Sequence, residues 1–91
     1  MNKVYIISYD LSNPGRNYEA LLQRIQGYGS WARLGGSAYL ISTNQTTAQV
    51  RDNLVQVMDG NDKIYVSSLG NSAAWAGLGE QVSNWIRNNQ K

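Results

Sequence analysis

Asp10 is the residue best placed for chemistry. It closes the most apolar run of the chain, Val4-Tyr5-Ile6-Ile7-Ser8-Tyr9-Asp10. The run is rich in β-branched and aromatic residues and a turn cluster follows it, so it reads as a strand. A near-continuous apolar run marks a strand buried on both faces. An acid at its C-terminal end then stands at the rim of the core, within reach of a metal or a substrate. Two roles fit. In one, Asp10 is a catalytic carboxylate and metal ligand paired with the partner subunit's Asp10, since magnesium is held by one or two carboxylates plus waters and phosphates. In the other, it hydrogen-bonds the following turn or caps the next helix. No second acid is near in sequence: Glu19 falls on the first helix and Asp62 before the last strand. The chain contains no histidine and no cysteine. That removes the commonest general base and zinc ligand, as well as disulfides and thiolate sites. Phosphodiester hydrolysis would have to use magnesium or manganese to activate water and polarise the phosphate.

Aromatic residues are the second candidate set. Tyr5, Ile7 and Tyr9 alternate with Val4, Ile6 and Ser8 along the first strand. Tyr39 and Tyr65, on later strands, are expected to join Tyr5 and Tyr9 on one sheet face. Such a face has three uses: a dimer or C-terminal-segment interface, ordinary core, or stacking of bases as in RNA-recognition modules. Tyr5, Tyr9 and Tyr39, with Arg16 and Arg33, are the candidate nucleic-acid or interface residues. Pro14-Gly15-Arg16 lacks a glycine-rich loop, so turn chemistry is favoured there over phosphate binding at a helix N-terminus. The three tryptophans, Trp31, Trp75 and Trp85, could line a small-ligand pocket. Packing is the plainer role, because a buried Trp contributes a large apolar area.

The elements that must hold these residues are legible from periodicity. After the first strand, Leu11-Ser12-Asn13-Pro14-Gly15 is a turn. Tyr18, Leu21, Leu22 and Ile25 follow at helical spacing, and Gly27 and Gly29 stop that helix. Ser30–Leu34 reads as a strand, Gly35-Gly36 as a two-residue hairpin turn, and Ser37–Ser42 as the returning strand. Thr43–Thr47 offers helix N-caps for a second helix carrying Val50, Leu54, Val57 and Met58, which Gly60 ends. Lys63–Ser68 is the fourth strand. The order is βαββαβ, which predicts an α+β ferredoxin-like sandwich. Right-handed crossovers place both helices on one sheet face, with the first and third strands central. Residues 1–69 form this domain. Residues 70–91 form an extension anchored by Trp75, with a short third helix marked by Leu78, Val82, Trp85 and Ile86.

At 91 residues a single domain is expected, burying roughly 60–65% of its unfolded surface. The hydrophobic fraction, 42%, is that of a globular protein. No apolar run nears the roughly 20 residues of a membrane span, and no basic region and cleavage site precede Val4. A cytoplasmic protein is expected. The net charge is +2, from eight scattered basic residues and six acidic ones. No basic run is present, so any nucleic-acid footprint must be assembled by folding.

The strand ending in Tyr9-Asp10, the turn, the amphipathic helix, Tyr28-Gly29 and the short hairpin resemble the smallest CRISPR-associated adaptation subunit over about residues 1–69. Ser37-Ala38-Tyr39 stands where that family carries a Ser-Val-Phe-like segment, and the chain has no phenylalanine. The chain therefore reads as a diverged relative, such as one from a phage or mobile element. The resemblance implies a ferredoxin-like homodimer. It also implies either a metal-dependent ribonuclease or deoxyribonuclease, with Asp10 of each subunit as the metal-binding acid, or a non-catalytic scaffold that holds nucleic acid or another protein. The expected function is the scaffold, with the endonuclease and a small-ligand-binding effector as alternatives.

Overall fold

The computed structural model of the chain describes residues 2–12 and 18–90. Its elements are β1 (Lys3–Asp10), α1 (Glu19–Gln26), β2 (Trp31–Gly35), β3 (Ala38–Thr43), α2 (Thr47–Val55), β4 (Lys63–Ser68) and α3 (Glu80–Asn89). The chain is α+β. The four strands make one antiparallel sheet in the order β2-β3-β1-β4. β1 and β2 therefore run parallel with β3 between them, and β3 and β4 run parallel with β1 between them. The two most apolar strands are the central ones, where both faces can be covered.

Alternation along the strands divides the sheet into two faces. Tyr5, Ile7, Tyr39 and Ile41 share one face and pack with Leu21 and Ile25 of α1 and Val50 and Leu54 of α2. Both helices thus cover the same side. The α1 residues recur at i and i+4 and the α2 residues likewise, so each helix turns one stripe to the sheet. Val57 and Met58 were expected on α2. They lie beyond its end at Val55, yet still pack against this core from the turn that follows. Arg24 ties α1 to α2: its Nη1 donates to the Asn53 carbonyl at 3.0 Å, Asn53 Oδ1 at 2.9 Å and Gln56 Oε1 at 2.8 Å.

On the opposite face Val4, Ala32, Leu40 and Ser42 are also buried. The described residues left to cover them are those after β4. α3 lies against β2, and its Ile86 is buried. Trp85 Nε1 donates to Ser30 Oγ at 3.1 Å, Gln90 Nε2 to the Gly70 carbonyl at 2.8 Å, and the Leu69 N–H to the Val4 carbonyl at 2.9 Å. Trp75 grips α3 rather than the sheet. Its Nε1 donates to Ser83 Oγ at 3.0 Å, and the Arg87 guanidinium sits 5.7 Å from its ring centroid.

The hairpin turn falls one residue later than expected. Gly35 is still paired with Ala38, so the two connecting residues are Gly36 and Ser37. Gly35 at φ 135° and Gly36 at φ 50° adopt backbone that side chains disfavour, and the register shifts between Arg33 and Gly35. α2 starts on a capping box. Thr46 Oγ1 accepts from the Gln49 N–H at 3.1 Å while Gln49 Oε1 accepts from the Thr46 N–H at 2.8 Å. Thr46→Ala removes one half of that reciprocal pair and is expected to lower stability by about 1 kcal/mol. Urea unfolding checks this; an unchanged midpoint would show that the box contributes nothing.

Candidate functional site at the Asp10 rim

Asp10 is exposed at the end of β1, as an acid closing a central strand should be. Its neighbour across the ladder is Lys63, the first residue of β4. Together with Ser8, Tyr9, Ile64 and Tyr65 they line a shallow depression of about 190 Å³. Among the described residues the Asp10 carboxylate takes no hydrogen bond, and no group of three or more acids, histidines or cysteines could hold a metal ion. What the rim offers is one free carboxylate beside one cation.

The turn-bonding role considered for Asp10 belongs instead to Asp62. Its Oδ1 accepts from the Ser12 N–H at 2.8 Å, Ser12 Oγ at 2.9 Å and the Tyr18 hydroxyl at 3.1 Å. Its Oδ2 accepts from the Asp59 N–H at 2.8 Å. One half-buried carboxylate thereby joins both sides of the β1–α1 connection to the loop before β4. Asp59-Gly60-Asn61-Asp62 is recognisable as a turn. Nothing in one dimension pairs Asp62 with Ser12, fifty residues earlier.

The tyrosines do not form an open face. Tyr5 and Tyr39 are each 3% exposed and lie in the helix-covered core. Their rings are therefore spent on packing and are not presented to a base or a partner. Sequence spacing could not decide this, because alternation shows which residues share a face but not which face the helices cover. The Tyr5 hydroxyl still reaches the Gln45 carbonyl at 2.6 Å, which satisfies its polar end. Tyr9 is half-buried, and burial raises its pKa above the ordinary value. The nearby Tyr39 adds to the rise and Arg33 opposes it. Tyr65 was expected on the same face as Tyr39. It stands opposite Ser8 in the ladder, hence on the other face, and is 64% exposed.

Arg33 is exposed on β2, opposite Tyr39, and its Nη2 donates to the Gly36 carbonyl at 3.1 Å. Arg16 and the Gly15-Arg16 turn lie outside the described residues. The structure thus brings Asp10, Lys63 and Tyr65 to one rim, while the Tyr9 side chain, on the helix-covered face, stands near Tyr39 and Arg33 of the edge strand β2. No described helix is long and apolar enough to cross a membrane. Compared with known protein families and solved structures, the chain matches no family model and no solved structure.

Proposed function

We propose that this chain is a ferredoxin-like, homodimeric, cytoplasmic binding module, a diverged relative of the smallest CRISPR-associated adaptation subunit. In this reading it acts as a non-catalytic scaffold for nucleic acid or another protein. The observation that carries the non-catalytic reading is the pairing of Asp10 with Lys63 across the β1–β4 ladder. Directly opposed residues have Cβ atoms about 5 Å apart. A lysine as cross-strand neighbour adds positive charge near that carboxylate, which disfavours a divalent cation there, and a single carboxylate holds magnesium loosely. The ferredoxin-like assignment is supported by the strand order β2-β3-β1-β4, in which each βαβ unit straddles a strand of the other.

The second reading is a metal-dependent endonuclease in which a dimer brings two Asp10 carboxylates to one magnesium or manganese ion. It is favoured by the exposure of Asp10 at the end of β1 and the absence of any hydrogen bond holding its carboxylate among the described residues. Wild type and Asp10→Asn, incubated with single- and double-stranded DNA and RNA and either metal, are expected to show the same lack of cleavage. Metal-dependent cleavage by wild type that the variant loses would establish the endonuclease instead. Nucleic-acid binding, measured by anisotropy, should weaken at least several-fold between about 50 and 200 mM salt, because phosphate contacts release counterions. Salt-insensitive binding of one sequence would contradict the scaffold as stated.

A further inference from the structure

A second site lies at the opposite edge of the sheet from Asp10, and its case does not depend on what Asp10 does. A groove of about 410 Å³ is lined by Trp31, Ala32 and Arg33 of β2 and Gln81, Val82 and Trp85 of α3. Successive strand residues point to opposite faces. A groove lined by three in a row must therefore run along the strand's edge. β2 is an edge strand, and its ladder shows what that edge presents. The Ser42 N–H donates to the Ser30 carbonyl, so residues 30 and 32 bond β3. Alternation then turns the N–H and C=O of Trp31 and Arg33 away from the sheet. Neither residue has a further backbone partner among the described residues.

From this geometry we infer that the β2–α3 groove binds an extended peptide segment of a partner protein, which adds a strand to the sheet at Trp31–Arg33. Three features name that occupant. The free N–H and C=O groups two residues apart match the repeat of an extended backbone. Val82 and Trp85 of α3 wall one side of that edge and take an apolar side chain from every second residue of the peptide, while Trp31 and Arg33, opposite Ile41 and Tyr39 in the ladder, stand on the other side. Arg33, exposed beside the groove, favours a carboxylate next to that anchor. A nucleic-acid strand fits less well, because Arg33 is the one cation among the described residues that line the groove and Glu80 adjoins Gln81 at the start of α3. The wall is preorganised. Trp85 is held by Ser30 Oγ, and the Asn89 side-chain amide donates to the Trp85 carbonyl at 2.8 Å. Binding therefore orders little that is not already fixed.

The test uses the whole 91-residue chain. A library of random peptides of about ten residues, long enough to span a strand, is selected against it, and the recovered sequences are resynthesised. They should carry an apolar residue next to an acidic one. Titrated into isotopically labelled protein, they should shift the backbone N–H signals of Trp31 and Arg33 most. Methylating alternate peptide nitrogens should abolish binding in one phase of the alternation and spare it in the other. Val82→Glu should weaken binding at least about tenfold, as loss of an interface anchor does, and Arg33→Glu should reverse the charge preference. Failure to enrich any sequence, or shifts centred away from β2 and α3, would overturn the proposal. So would concentration-dependent self-association with the same N–H shifts, which would make the occupant a second copy. Stronger shifts from a thymidine oligonucleotide would assign the groove to nucleic acid.

Discussion

Removing residues 70–91 is expected to cost the chain its stable fold. That segment covers the sheet face on which Val4, Ala32 and Leu40 are buried, and it supplies the buried Ile86. Burying one large aliphatic side chain stabilises by about 1.5–3 kcal/mol, so Val4, Leu40 and Ile86 together represent roughly 5–9 kcal/mol. A domain of this size has about 5–14 kcal/mol in all. The truncated chain should therefore lose its near-UV circular dichroism, bind a hydrophobic dye and become poorly soluble, with helical signal partly retained. Ile86→Ala keeps α3 in place and isolates one contact; it should lower stability by about 2–5 kcal/mol. A truncated protein that melts cooperatively at the wild-type temperature would show that the extension does not seal this face.

Asp62→Ala is expected to have the next largest effect. The carboxylate accepts from two backbone N–H groups and two hydroxyls drawn from three places in the chain. Hydrogen bonds to a charged acceptor contribute more than neutral ones, but these are partly solvated and not additive, so a loss of roughly 2–3 kcal/mol is expected. For a chain of this length that is a fall in Tm of roughly 10–20 °C. Asp62→Asn should fall between the two. Its Oδ1 can still accept from Ser12 and Tyr18, while its Nδ2 would face the Asp59 N–H, donor against donor. Thermal melts of the three proteins rank them. Equal melting temperatures would mean that the loops before α1 and β4 are held by something else. The same series separates the two acids, because Asp10→Asn, at an exposed site where the carboxylate makes no hydrogen bond among the described residues, should leave the melting temperature unchanged.

Much of the architecture was already legible in one dimension. β4 was expected at its observed limits and β1 within one residue of its start. The helical stripes Leu21/Ile25 and Val50/Leu54 mark the residues that α1 and α2 bury. The reason is local: a strand or helix half-buried in a small core must repeat its apolar residues at its own period. The limits that shifted also have local causes. The hairpin turn moved to Gly36-Ser37 because a register shift absorbs Gly35 into the strand. α2 ended before Val57 because a side chain can reach the core from a turn as well as from a helix.

The candidate sites were legible only in part. Asp10 stands where its position at the end of a central strand put it. That its neighbour is Lys63 depends on the β1–β4 register, which the sequence of either strand alone does not specify. The tyrosines show the same limit from the other side. Period-two spacing grouped Tyr5 with Tyr9 correctly, but burial under α1 and α2 made that face core, and strand pairing put Tyr65 on the other.

By itself, then, the sequence determined which elements form and which of their residues must be buried, because both follow from interactions within a few residues. Only the tertiary structure decided which sheet face each helix covers and which acid holds the turn after β1. It alone made β2 an open edge beside α3. Those outcomes depend on contacts between residues tens of positions apart, such as Ser12 with Asp62 and Ser30 with Trp85, and no local pattern encodes such pairs.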